Sequence, residues 1–364
     1  MNVKFPELPC RFWSKLPRRV LGLLLPLALL AGASVSANDQ ALAATRPGFD
    51  QWLVDLRQEA LAKGISPATV ETALSNVKYI ERVVTRDKNQ PEFKQTYDAY
   101  LKQRISPWRV ETGRRMMTEH AATLGAVGQT YGIQPRFVAA IWGIETNYGT
   151  ITLTYSVFDT LATLAHEGRR ERFFKAHLFA ALTILDKGHA TMDLMKSSWA
   201  GAMGQPQFMP EIYLRYAQDF DGDGRRNIWT STPDVLASIA KHLTDVGWLA
   251  DETWGRPVLM PGGGLSAAPD DMTALKPSRN CARFAKSLGA WRRLADWQAL
   301  GIRRLSGMDL PSRDIPAAFI PPEDGGSKGY IVYRNFCTIL WYNPSFKYAI
   351  GVGMLGDRIR SRGQ

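Results

Sequence analysis

Cysteine is scarce in this chain: Cys10, Cys281 and Cys337 are the three present in 364 residues. Cys10 precedes the apolar run from Val20 to Leu30, whereas a lipoprotein signal needs its cysteine after such a run, so lipid anchoring is not expected. A long apolar run is missing as well, because Val20 to Leu30 is broken by Pro26 and is short for a membrane span. No dense Lys/Arg block occurs, so charge aids solubility and encounter without specifying a partner. Tandem repeats and low-complexity tracts are also absent, which leaves an ordinary globular chain long enough for two or three lobes.

What is present begins with Arg11, Lys15, Arg18 and Arg19, followed by the apolar run, small residues and a cleavage site at Val35-Ser-Ala37. That layout predicts a secretory signal peptide over residues 1–37, with no stable membrane insertion after cleavage. Cleavage removes five basic residues and one acidic one, and the net charge falls from +11 to +7. A moderately basic exported protein suits an acidic polymer such as a cell wall, or anionic lipid, and export argues against nucleic acid. The two remaining cysteines, Cys281 and Cys337, fit one disulfide in an oxidising compartment, with two buried free thiols as the alternative.

Helical patterning dominates to about residue 254. Phe49, Trp52, Leu53, Leu56 and Ala60 form one stripe, and Ser66-Pro67 supplies the next cap and first-turn proline. Further helices are predicted over 92–103 and 108–131. Ser156 to Asp159 should cap a helix with Phe158, Leu161 and Ala165 inward, and Phe174, Leu178 and Leu182 mark another. Beyond Trp254 prolines and glycines become frequent, with short strands predicted over 257–260 and 330–333. Helical character returns from Asn335, with Tyr348, Val352, Leu355 and Ile359 on its apolar side. The fold class is therefore mainly α (α+β). The expected divisions after the signal peptide are 38–110, 111–254, a small β-containing domain over 255–334, and 335–364 returning to the core.

One stretch organises the chemistry: Ala139-Ala-Ile-Trp-Gly-Ile-Glu-Thr-Asn-Tyr-Gly149. Pro135 opens this helix and Gly149 is expected to close it in the left-handed conformation. Glu145 lies beside Ile141 and Trp142, near the negative end of the helix dipole. Partial burial and that dipole end both disfavour an ionised carboxylate, as a general acid working near neutrality requires. The bland alternative is an exposed glutamate at a helix end. Next, Ser197-Ser-Trp-Ala-Gly-Ala-Met-Gly-Gln-Pro-Gln-Phe-Met-Pro210 combines small residues, amides and aromatic rings. Ser198, Gln205 and Gln207 offer hydrogen bonds and Trp199 and Phe208 offer flat faces, a mixture that suits sugars; a structural loop is the alternative.

Asp219-Phe-Asp-Gly-Asp-Gly-Arg225 matches the front half of an EF-hand loop, with Asp219, Asp221 and Asp223 at the first three ligand positions. The twelfth position is Thr230, so the usual glutamate is absent; Asp234 is a candidate to close a longer loop, or else serves the dipole of the helix it opens. An Asx-rich turn without metal is the alternative to calcium.

The Glu145 stretch, residues 198–210, the loop from Asp219 to Trp229, and Asn335-Phe-Cys-Thr-Ile-Leu-Trp-Tyr-Asn343, in that order, resemble the lytic murein transglycosylase B family. The resemblance implies a lysozyme-like helical core with an additional helical domain, a periplasmic enzyme, and peptidoglycan glycan strands as its partner. Other cell-wall enzymes are potential companions. It also implies cleavage between N-acetylmuramic acid and N-acetylglucosamine without water, structural Ca²⁺ and no organic cofactor. By position Glu145 matches the catalytic acid/base; Ser198, Gln207, Phe208, Asn335 and Tyr342 match groove residues; Asp219, Asp221 and Asp223 match metal ligands. Two departures stand out: Pro206 occupies a place where glycine is frequent, and the loop to Asp234 is one residue longer. A hydrolytic muramidase would need a carboxylate opposite Glu145, and Asp159 and Glu167 are the nearby candidates. A non-catalytic peptidoglycan-binding scaffold is the further alternative, and a calcium-dependent structural protein the last.

Overall fold

The computed structural model describes residues 48–89, 96–262, 264–265, 272–323 and 325–360. The expected signal peptide lies outside the described residues.

Helices α1 (Phe49–Ala62), α2 (Pro67–Leu74) and α3 (Glu81–Lys88) open the described chain. The Ser66 hydroxyl accepts the Thr69 N–H, and Pro67 occupies the first turn, the arrangement that offers an orphan N–H a partner while wasting none. Four helices follow: α4 (Tyr97–Arg104), α5 (Pro107–Glu119), α6 (Ala121–Tyr131) and α7 (Pro135–Thr146). The single helix expected over 108–131 is broken at His120, whose backbone leaves helical geometry, and Gly132 ends α6 in the left-handed region. Strand β1 (Tyr155–Ser156) leads into α8 (Val157–Glu167) and α9 (Glu171–Asp186), then β2 (Lys196–Ser197), α10 (Pro210–Tyr216) and α11 (Thr232–Asp245). β1 and β2 pair antiparallel, Tyr155 opposite Ser197. This two-residue ladder brings the segment after α7 against the start of the 197–210 loop.

The small lobe contains β3 (Gly255–Leu259), α12 (Ala285–Leu288), β4 (Trp291–Arg293), α13 (Leu294–Ala299), β5 (Arg303–Arg304), β6 (Pro316–Ile320) and β7 (Lys328–Val332). Its antiparallel sheet has the order β4-β6-β7-β3-β5. Helices α14 (Arg334–Tyr342) and α15 (Phe346–Ile359) then return to the helical body.

Burial divides the helices differently from chain order. Leu56, Leu74 and Val83 of α1–α3 share a core with Phe158, Phe174 and Leu178 of α8 and α9. Tyr100 and Met116 of α4 and α5 join α7, α11, α14 and α15 in another, and Val258, Trp297 and Ile331 centre the sheet lobe. The expected 38–110 unit is thus shared between two cores. A short helix with one apolar stripe must bury it against whichever face lies nearest, and that face need not be local. Every residue of α7 from Phe137 to Ile144 is buried. Cys281 and Cys337 form a disulfide that ties the start of the lobe's helical turn to α14. No helix among the described residues is long and apolar enough to cross a membrane.

Candidate active site

Helix α7 stops at Thr146, three residues before the glycine expected to close it. Asn147, Tyr148 and Gly149 then adopt left-handed backbone in succession, with φ of 51°, 60° and 79°. An aromatic residue pays a steric penalty there, so the surroundings must hold the turn. Arg109, buried in α5, is the main clamp: its Nε donates to the Gly143 carbonyl and the Asn147 Oδ1, both at 3.1 Å. The Tyr148 hydroxyl donates to the Arg109 carbonyl at 2.9 Å. Gly143 allows this, because a Cβ there would lie 2.4 Å from the Tyr148 ring.

Gln205 ties the same turn to the neighbouring loop. Its Oε1 accepts the Trp142 indole N–H at 2.7 Å, its carbonyl accepts the Thr146 hydroxyl at 2.9 Å, and its Nε2 donates to the Trp229 carbonyl at 2.8 Å. A Cβ at Gly149 would come within 2.4 Å of Gln205 Oε1, so only glycine fits the close approach. One amide side chain therefore joins the end of α7, the 197–210 loop and the segment that follows the aspartate loop.

Glu145, half-buried on the last turn of α7, accepts the Tyr348 hydroxyl at 2.6 Å through Oε1. Burial, and next the charge of Glu145, push Tyr348 well above its ordinary pKa; the same two causes act on Tyr342. Both phenols thus remain neutral. Their rings stack at 6.4 Å; Tyr342 stacks on His242 at 4.8 Å, and His242 on Tyr216 at 4.3 Å. Desolvation lowers His242 to about 3, so this ring too is uncharged. The Tyr342 hydroxyl donates to the Pro206 carbonyl at 2.6 Å. A column of neutral rings drawn from α10, α11, α14 and α15 therefore ends at the one carboxylate of α7.

The other expected groove residues divide into two groups. Ser198 and Gln207 are half-buried in the loop. The Ser198 Oγ accepts the Ala202 N–H at 3.3 Å, and Gln207 sits at φ 53° with its Nε2 donating to the Gly204 carbonyl at 2.9 Å. Phe208 and Asn335 are corrections. Phe208 is 2% exposed and packs on His242 and Tyr342 inside the core, so it presents no face to a groove. Asn335 is fully buried, and its amide bonds the Leu249 N–H, the Leu249 carbonyl and the Glu252 carbonyl, each at 2.8 Å. It clamps the 249–252 turn and has no donor left for a substrate. Reading the sequence missed Tyr348, Arg109 and Gln205 in these roles. For Tyr348 a signal existed: a phenol in an apolar helix stripe needs a partner for its hydroxyl.

The proposed second carboxylates are engaged elsewhere. Asp159 accepts the Lys78 N–H at 3.2 Å in the first turn of α8, and burial raises its pKa. Glu167 pairs with Lys88 at 2.6 Å and accepts the Tyr79 hydroxyl at 3.3 Å.

Asp219, Asp221 and Asp223 are exposed, and an oxygen from each falls within 4.8 Å of the others. Asp219 accepts the Gly222 and Gly224 N–H groups at 2.8 and 2.9 Å, and Asp223 accepts that of Arg225 at 2.8 Å. Three converging hard oxygen donors fit a calcium ion. Asp234 is a correction as a ligand: it is fully buried and accepts the Phe220 and Asn227 N–H groups at 2.7 Å through its two oxygens. It braces the loop from within, at the first turn of α11, and burial raises its pKa.

The chain matches the family described as Transglycosylase SLT domain over residues 48–357. It is 29% identical over 262 residues to the membrane-bound lytic murein transglycosylase B of Escherichia coli K12, which covers 71% of this chain and 66%, just under two thirds, of that protein. Among solved structures it is similar to SltB3 from Pseudomonas aeruginosa in complex with NAG-anhNAM-pentapeptide, with 39% identity, a TM-score of 0.77, and coverage of 87% of this chain and 80% of that one. It is also similar to an Escherichia coli lytic transglycosylase in complex with calcium, with 26% identity, a TM-score of 0.67, and coverage of 87% and 93%.

Proposed function

This chain belongs to the transglycosylase SLT domain family, and from that premise we propose that it is a lytic transglycosylase that cuts peptidoglycan glycan strands between N-acetylmuramic acid and N-acetylglucosamine. The observation that carries the reading is the pairing of one carboxylate, Glu145, with a neutral donor, the Tyr348 hydroxyl, at the strained end of a helix buried from Phe137 to Ile144. A two-carboxylate hydrolase needs an acid and a base or nucleophile on opposite sides of the bond. Asp159 and Glu167 are both committed to other partners, which favours a reaction that uses one carboxylate twice.

In that reaction Glu145, protonated, gives its proton to the glycosidic oxygen while the acetamido group of the substrate stabilises C1 of the muramoyl unit. The C6 hydroxyl attacks C1, and the glutamate takes its proton back, leaving a 1,6-anhydromuramoyl end. The internal nucleophile is already held close, so it outcompetes solvent wherever water is scarce. Tyr348 fixes Oε1 and leaves the second oxygen to handle the proton. Ser198, Gln207 and Tyr342 border the reacting sugar.

Calcium held by Asp219, Asp221 and Asp223 supplies structural bracing and no chemistry; through Trp229 and Gln205 the loop is connected to the end of α7. Export to the periplasm follows from the sequence of residues 1–37 and suits this substrate. Digestion of purified sacculi followed by mass analysis tests the reading: anhydro ends support it, reducing ends replace it with a muramidase, and intact sacculi replace it with a binding protein. Glu145→Gln should abolish cleavage.

A further inference from the structure

Residues 272–295 hold six lysines and arginines and no aspartate or glutamate, spaced too widely to read as a block in the sequence. The fold gathers three of them on one face. From Ser278 to Leu288 the chain follows a single short helical course: the Ser278 carbonyl accepts the Cys281 and Ala282 N–H groups at 2.9 Å, a 3-10 turn follows over Ala282–Phe284, and α12 completes it. Cys281, Phe284 and Leu288 are buried, whereas Arg279, Arg283 and Lys286 are exposed, and both sets recur at the three- and four-residue spacing of a helix face. The disulfide to Cys337, and the Trp341 indole N–H donating to the Asn280 carbonyl at 2.8 Å, lock this turn to α14. Trp341 is nevertheless 37% exposed, so what it offers to solvent is ring, and the Arg283 guanidinium lies 4.8 Å over that ring. Arg279 and Lys286 form no ion pair with another described residue, and α14 carries no acidic side chain. Of the other cations in the stretch, Arg292 bonds the Met272 carbonyl, Arg293 pairs with Asp314, and Lys276 is exposed just ahead of the turn.

A dissolved anion would engage one of these cations and leave the rest to water. A plane of phosphate headgroups engages them together, and an aromatic ring with an apolar body is at home at the boundary between headgroups and acyl chains. Cations on the outer side of a helical turn with a half-exposed tryptophan beside them therefore suit a bilayer surface. We propose that the face formed by Arg279, Arg283, Lys286 and Trp341 docks the protein reversibly on a membrane that contains anionic phospholipid. The docking is peripheral: the cations meet headgroup phosphates, the Trp341 ring enters the interface, and no segment spans the bilayer. Tyr342 follows Trp341 on α14 and belongs to the ring column that ends at Glu145, so the docked protein holds its site close to the bilayer.

Co-sedimentation of the protein freed of residues 1–37 with vesicles of mixed phosphatidylglycerol and phosphatidylcholine, against vesicles of phosphatidylcholine alone, tests the proposal. Binding to the anionic vesicles that fades as salt is raised is expected. Each unpaired cation contributes about fivefold, so Arg279→Gln combined with Lys286→Gln should weaken partition about 25-fold. Arg279→Lys combined with Lys286→Arg should keep the wild-type partition, and both pairs should keep the wild-type melting curve because the four substitutions are at exposed positions. Trp341→Ala should weaken binding at every salt concentration; if that variant unfolds, the charge pair alone decides. Equal binding to neutral vesicles, binding to neither, or undiminished binding by the Arg279→Gln, Lys286→Gln protein would overturn the proposal. So would soluble polyphosphate held as tightly as the vesicles, which would assign the face to a dissolved polyanion, or a dimer that the same double variant dissolves, which would assign it to a second copy of the chain.

Discussion

Replacing Tyr348 by phenylalanine isolates the contact on which the site depends. The ring stays in place, buried at 3% exposure and stacked on Tyr342, while the single hydroxyl that donates to Glu145 at 2.6 Å is lost. Once Glu145 has given up its proton, this is a hydrogen bond to a charged group, worth roughly 1.5–3 kcal/mol. At about 1.4 kcal/mol per factor of ten, its loss lowers kcat by about 10- to 150-fold if the bond is needed to hold the carboxylate in its working rotamer. KM should change little, because the Tyr348 ring is inside the core. Stability should fall by less than about 1 kcal/mol, since Glu145 is half-buried and water can replace the lost donor. The assay pairs steady-state turnover with a melting curve on the same preparation. Unchanged kcat, or a kcat loss matched by an unfolded fraction, would refute the role given to Tyr348.

Reduction of the Cys281–Cys337 bridge, which closes a separation of 56 residues, should cost about 4 kcal/mol by loop entropy, read as a lower denaturant midpoint; coincident curves with and without reductant would refute this. Acid should destabilise the fold through two histidines. Burial lowers His177 to about 4 and His242 to about 3, so the unfolded chain binds the extra protons; stability is full above about pH 6.5 and falls as pH drops towards those values, by about 2 kcal/mol per histidine at pH 5. His242→Phe should flatten that decline, and an unaltered pH dependence would count against it. Calcium at a hundredfold its dissociation constant should add about 2.7 kcal/mol to stability. Asp223→Ala should abolish that gain, whereas Asp234→Asn should destabilise the chain with or without metal; identical melting curves in chelator and in calcium would rule out the site.

Local chemistry was legible in the sequence. Ser66 and Ser156 both cap the helices they precede, accepting the N–H groups of Thr69 and Asp159, because a hydroxyl three residues ahead of an amide decides that geometry alone. Glu145 and the three aspartates could be singled out for similar reasons of spacing. The end of α7 could not, since its left-handed turn depends on Arg109, 38 residues before Asn147. Asn335 shows the converse difficulty: an amide that serves a substrate and one that clamps a buried turn read alike until the Leu249 and Glu252 backbone groups are placed beside it. Tyr348 was hidden for a related reason, because its apolar neighbours at helical spacing place it in a core stripe, and only the return of α15 against α7 gives its hydroxyl a carboxylate.

The proposed reaction uses one carboxylate twice and transfers the muramoyl C1 to the C6 oxygen of the same sugar without admitting water. Digestion of sacculi in ¹⁸O-labelled water, with mass analysis of the new ends, measures this directly. Anhydromuramoyl ends free of label are expected from the wild-type protein and no new ends from Glu145→Gln; labelled reducing ends, or undiminished cleavage by that variant, would contradict the proposed reaction.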